Sequence, residues 1–138
     1  MGPPKSELSI IWSAEVLFEV QAIRTSVPIG AGVYRILQSN EYSRYEGRTR
    51  ILKIGMSDKN LQKEILNHLG RHTVANRLMR VRSHRGVTVS VVFASVPSQD
   101  AKQAESELLR QFEDNHWDLP LLNAQRGYAR DEDGHYCE

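Results

Sequence analysis

The sequence predicts an α+β fold: a small central, mainly antiparallel sheet of about three strands flanked by helices. Two observations carry that reading. Runs rich in β-branched residues, at 32–37, 51–56 and 87–96, are bounded by glycine, proline or polar segments. Between and after them lie stretches whose apolar residues recur at three and four positions, with capping residues at their starts. The order is strand, strand, helix, helix, strand, helix. Neighbouring strands joined by a loop pair antiparallel, and the helices cover one or both faces.

Residues 8–24 mix two periods. Val16, Phe18 and Val20 alternate like a strand, while Val16, Val20 and Ile23 fit a helix, so both assignments stand. Pro28 and Gly30 break the chain before the strand Gly32–Leu37. The polar segment 39–50 is expected to be a long hairpin loop, with Ile51–Met56 as the returning strand. A helix follows over Asn60–Leu69, with Ser57 or Asp58 as its cap, the stripe Leu61, Ile65, Leu69, and Gly70 at its end. A second begins at Thr73, a good N-cap, and stops before Gly86. Val87–Val96 is the third strand, and Pro97-Ser98 opens a long helix to about residue 115. A Pro120 turn, an extended Leu-Leu-Asn segment and an acidic end complete the chain. The whole, 1–138, is read as one domain with an N-terminal extension 1–28 and a loose acidic tail 129–138.

The 138 residues carry a net charge of +1, and no apolar run approaches the ~20 residues that span a bilayer. No membrane association is expected. No secretory signal is visible at the start, and Cys137 is the single cysteine, so a reducing cytoplasm is the expected location. The charge is segregated. Residues 1–64 carry a net +2, residues 65–99 five arginines and no acid, and residues 100–138 a net −6. The block of Arg71, Arg77, Arg80, Arg82 and Arg85 is either a solvated helix face or a surface that grips phosphate.

On the last helix, Leu108, Leu109 and Phe112 lie three, four and seven residues beyond Glu105, which places Glu105 near the middle of an apolar stripe, with Glu107 on the opposite side. A carboxylate there needs an ion pair or a metal. Taken alone, Tyr34 is as well explained as a core aromatic, Lys53 as an exposed cross-strand charge, and Asn123 as a loop residue. Glu64, His68 and His72, at spacings of four, invite a zinc reading that Gly70 argues against.

Gly32-Val33-Tyr34, Lys53-Ile54-Gly55, Ala104-Glu105-Ser106-Glu107-Leu108-Leu109 and Leu121-Leu122-Asn123 fall in one order over most of the chain. Together they resemble the GIY-YIG nuclease family. The resemblance implies a compact sheet flanked by helices and a metal-dependent endonuclease that hydrolyses phosphodiester bonds in DNA. It implies that Tyr34 activates the attacking water with help from Lys53, which stands where the family more often has a second tyrosine. It assigns Glu105 to Mg²⁺ or Mn²⁺ and gives His68 and Asn123 places in the site; on this reading the charge block of Arg71, Arg77, Arg80, Arg82 and Arg85 grips the backbone. One position departs from the pattern: Glu64 stands where the family has an arginine that clamps the scissile phosphate. Three consequences are open: Arg71 takes over the clamp, the register shifts and Lys63 is nearby, or cleavage is weak or absent. Specificity is left to the 39–50 loop, to homodimerisation or to a partner. The rival readings are a nucleic-acid-binding module of the same fold that does not cut, and a protein-interaction domain.

Overall fold

The computed structural model describes residues 10–70 and 73–123. Its element order is β1 (Val16–Leu17), α1 (Val20–Ser26), β2 (Gly32–Ser43), β3 (Arg48–Ser57), α2 (Leu61–Asn67), α3 (Val74–Ser83), β4 (Val89–Ser95), a single 3₁₀ turn (Ser98–Asp100) and α4 (Ala101–His116). The four strands form one antiparallel sheet in the order β1-β4-β2-β3. Helices flank both faces, as an α+β fold requires.

Several details differ from expectation. The sheet has four strands rather than about three, because Val16 and Leu17 pair with Val91 and Ser90. The ambiguous 8–24 segment holds both of its periods: a two-residue strand, then a helix capped by the Glu19 carboxylate. β2 and β3 run through most of the polar 39–50 segment, leaving only residues 44–47 as the turn, with Gly47 at φ +77°. Polar side chains did not prevent strand pairing there, since one face of a hairpin end faces water. Asn60 caps α2 through Lys63 N–H, in place of Ser57 or Asp58. Ser57 Oγ instead accepts from the amides of Lys59 and Asn60 and shapes the turn before the helix. Leu121–Asn123 form a helical turn rather than an extended segment. Thr73 caps α3 as expected, through Asn76 N–H, and Gly86 follows it at φ +78°. Arg71, His72, Cys137 and the acidic tail lie outside the described residues.

The sheet separates two apolar clusters. Tyr34, Ile36, Leu52 and Val91 face α1, α2 and α3, packing on Ile23, Leu61, Ile65 and Ala75. Val33, Ile54 and Ala94 face α4, packing on Ala104, Leu108 and Phe112. Strict alternation along β3 would put Leu52 and Ile54 on one face. A bulge prevents this: Ile36 opposes Lys53 while Leu37 opposes Ile51, so Leu52 is the extra residue. Ile51 therefore turns to the α4 side, while Leu52 and Lys53 both join the Tyr34 side.

The centre of the sheet leaves no room at Gly32. A Cβ there would lie 2.4 Å from the Ala94 carbonyl oxygen and 2.9 Å from a Leu61 methyl. The carbonyl is backbone and cannot swing aside. Gly32→Ala is expected to lower stability by about 1–3 kcal/mol, the usual range for overpacking a core. Urea unfolding of the variant checks it, and an unchanged midpoint would show that β2 and β4 separate more freely than their packing implies.

Candidate functional site: a buried tyrosine held by Glu64 and His68

β2 and β3 place Tyr34 directly opposite Gly55. The absent side chain at 55 is what admits the ring: a Cβ on Gly55 would lie 2.4 Å from both the Tyr34 ring carbon Cζ and its hydroxyl. Tyr34 is wholly buried, so its hydroxyl needs partners inside the protein. α2 supplies two. The hydroxyl donates to Glu64 Oε2 at 3.0 Å and lies 2.9 Å from His68 Nε2. Spaced four apart, Glu64 and His68 project from one side of α2, next to the buried Leu61 and Ile65. A hydroxyl has one proton, and here it goes to Glu64, so His68 donates from Nε2 to the tyrosine oxygen.

Glu64 and His68 also face each other at 3.7 Å, an ion-pair distance rather than a hydrogen bond. The His68 imidazole is the main cause holding the Glu64 carboxyl below its usual range; burial opposes it, while the Tyr34 hydroxyl and the more distant Lys53 ammonium add to it. Glu64 is accordingly an ionised carboxylate at neutral pH. It keeps 34% of its side-chain surface exposed and His68 keeps 18%, so these two, not Tyr34, meet solvent.

Lys53 is only 3% exposed, not the solvated cross-strand charge that was one of its readings. Its opposite number is Ile36, which shares the Tyr34 face, and its charge bears on Glu64. Asn123 comes to the same stretch of β3 from outside. Its side-chain amide donates to the Ile54 carbonyl at 3.1 Å and accepts from the Ile54 amide at 2.9 Å. β3 is an edge strand, and this amide satisfies two backbone groups that no further strand reaches.

Glu105 stands elsewhere. It is on α4, across the sheet from Tyr34, and it is half-buried. The buried stripe of that helix is Ala101, Ala104, Leu108 and Phe112, so Glu105 flanks the stripe rather than occupying its middle. Glu107 is half-buried as well, and forms an ion pair with Arg110 one turn on. Of the basic block, Arg77, Arg80 and Arg85 are exposed and Arg82 is half-buried. Arg77, Arg80 and Arg82 are on α3, whose Ala75 packs into the Tyr34-side core. Among the described residues, no three of histidine, cysteine, aspartate and glutamate converge as a metal cage.

The structure thus brings together Tyr34, Lys53, Glu64 and His68 on one face and ties Asn123 to the backbone of Ile54. It leaves Glu105 on the other face. Glu64 is the member that sequence reasoning took as a break in a pattern. Its signal was present in the spacing of four to His68 beside the Leu61–Ile65 stripe. No protein-family model, curated protein or solved structure matches this chain.

The depressed Glu64 pKa has a testable consequence. A carboxyl whose folded pKa lies below its unfolded value stabilises the fold above the unfolded value, and that contribution is lost as pH falls through the folded one. Glu64→Gln should be less stable than the parent at neutral pH. The gap should begin to close below about 4.3, the ordinary glutamate pKa. Thermal melts from pH 7 to pH 2.5 check this, and a gap that stays constant with pH would show that the Glu64 charge contributes nothing.

Proposed function

We propose that this chain is a GIY-YIG-type, divalent-metal-dependent endonuclease acting on DNA. The observation that carries the proposal is the convergence of three of the four motif segments, together with His68 of α2, on one stretch of the sheet. Tyr34 lies over Gly55, Asn123 clasps Ile54, and His68 reaches the Tyr34 hydroxyl. None of these contacts is local in sequence, and a chance set of short motifs gives no reason for them to meet.

In this reading the chain's own groups divide the work. Exposed Arg77 and Arg80 of α3 lie in the helix layer above the Tyr34 face, where they hold the phosphate backbone without reading sequence. Lys53 supplies positive charge beneath Glu64, which steadies the developing phosphorane charge and keeps the carboxylate ionised. Tyr34 acts through Glu64 and His68. As its oxygen takes a proton from the attacking water, its own proton passes to Glu64, so no free phenolate forms. Because Tyr34 is closed to solvent, the water reaches it only when His68 turns aside while Glu64 keeps its contact with the hydroxyl. One carboxylate suits Mg²⁺ or Mn²⁺, which keep several waters and take substrate oxygens as ligands, and a bound ion would supply Lewis-acid stabilisation of the leaving oxygen; the resemblance gives this role to Glu105, which lies on the α4 face across the sheet from Tyr34, so no step joins it to the Tyr34 hydroxyl.

Two observations favour a second reading, a nucleic-acid-binding module that does not cut. Glu64 places a negative charge beside Tyr34, and the Tyr34 hydroxyl is sealed. Both oppose phosphate at this spot.

Nicking of supercoiled plasmid with Mg²⁺ or Mn²⁺ decides between them. On the nuclease reading Glu105→Gln abolishes metal-dependent nicking, Glu107→Gln keeps it, and Tyr34→Phe lowers it by about 10²-fold or more with the fold intact, the usual scale for one acid–base group. A parent chain that leaves the plasmid supercoiled in both metals overturns the nuclease reading. Binding to duplex DNA is expected on either reading. Arg77→Ala with Arg80→Ala should weaken it alike for all sequences and reduce the log–log salt slope by about 0.9 per lost phosphate contact. An unchanged slope would move the contact surface off α3.

A further inference from the structure

Far from the Tyr34 cluster in contacts and chemistry, two aromatic side chains stand in water against each other. Tyr45, in the turn between β2 and β3, is 77% exposed, and Trp117, the residue that ends α4, is 63% exposed. Their ring centres are 5.6 Å apart at a 42° tilt. The backbone fixes both. Arg44 N–H donates to the Gly47 carbonyl, Glu46 N–H to the His116 carbonyl, and Trp117 N–H to the Glu113 carbonyl. His116 Nδ1 adds a 2.7 Å contact to the Glu46 carbonyl. The hairpin tip is therefore stapled to the end of α4, and the pair is a preset plate.

Trp117 also sits at φ 58°, the one non-glycine residue among those described with a left-handed backbone. Helices that end this way favour glycine or asparagine, because a Cβ crowds the following carbonyl. A bulky residue in a strained position, with its ring outside the core, does little for folding. Strain held at an exposed aromatic points to recognition.

The field around the plate selects the partner. Glu46, Glu113 and Asp114 flank it in the hairpin turn and at the end of α4, beyond the Arg44–Asp118 and Arg48–Glu41 pairs that offset one another. Of the two nearby guanidiniums, Arg44 is taken by the Leu119 carbonyl and Asp118, and Arg48 by the Glu41 carbonyl, with the Glu41 carboxylate close by. The C-terminus of α4 adds its partial negative charge. Such a field repels phosphate and attracts a cation, and an aromatic face in it binds that cation more tightly. We propose that the Tyr45–Trp117 plate is a docking site for an arginine-bearing segment of a partner protein. Arginine fits better than lysine because its planar, weakly hydrated guanidinium stacks on an aromatic ring while its N–H groups reach carboxylates. The site is independent of nuclease activity.

The test titrates the full chain with a hexa-arginine peptide, a hexa-lysine peptide and single-stranded oligo(dT), followed by calorimetry and tryptophan fluorescence. The arginine peptide binds more tightly than the lysine peptide. Trp117→Ala and Tyr45→Ala each weaken it by about two- to fivefold, the worth of one exposed cation–aromatic contact. Trp117→Gly loses binding too, yet its melting temperature does not fall, because glycine suits the left-handed backbone; that separates loss of the plate from loss of the fold. Equal affinity for the two peptides, or an arginine affinity that Trp117→Ala leaves unchanged, overturns the proposal. So does oligo(dT) binding that depends on Trp117, which would make the plate a base-stacking surface.

Discussion

A hydroxyl sealed inside a sheet must be hydrogen-bonded, and the arrangement around Tyr34 follows from that requirement. The ring fits only because position 55, directly opposite, has no side chain. The hydroxyl then projects toward α2, and α2 answers with two groups one turn apart, Glu64 and His68. An ionised carboxylate there needs compensation, which His68 and the buried Lys53 provide. Lys53 faces this way because it pairs with Ile36, two residues along from the Tyr34–Gly55 pair in unbroken register. Strand pairing, a missing Cβ, a helix face and a buried cation are thus parts of one solution to one unsatisfied polar group.

The fold class was legible because it depends on periodicity. Runs of alternating or β-branched residues at 32–37, 51–56 and 87–96 became β2, β3 and β4, and the stripes at 61–69 and 101–112 became helices. What was less legible depends on pairing. Whether Ser39–Arg50 forms a loop or a long hairpin turns on backbone partners, and polar side chains say little about those. Two residues of β1 are too short a signal against a helical pattern that also holds. On the candidate site, Tyr34, Lys53, His68 and Asn123 were singled out from sequence. Their mutual geometry was not, because it rests on the β2–β3 register and on which side of α2 meets the sheet. Glu64 was noticed for the charge it brings and missed as the acceptor for Tyr34. The placement of Glu105 on its helix erred for a simple reason: alanines 101 and 104 shift the centre of the buried stripe, and a reading weighted to leucine and phenylalanine overlooks them.

The charge segregation along the chain becomes a segregation in space. Arg77, Arg80 and Arg82 ride on α3 over one face of the sheet, whereas Glu105, Glu107, Glu113 and Asp114 ride on α4 over the other. With opposite fields on its two sides, the molecule is polarised despite a net charge of only +1. A polyanion and a polycation approaching it would be steered to different surfaces, and both can be held at once. No helix among the described residues is long and apolar enough to cross a membrane.

The Asn123 clasp gives the exposed rim of the sheet a chemical lifetime. One primary amide there imitates a peptide group, giving to Ile54 C=O and taking from Ile54 N–H. Hydrolysis of that amide, the slow ageing reaction of asparagine, would turn it into a carboxylate. A carboxylate only accepts, so the Ile54 carbonyl would lose its donor and meet a negative charge instead. The rim of β3 would then lie open to a strand from another molecule. In an old sample of this protein, self-association would thus begin at one side chain, with no residue of the core disturbed.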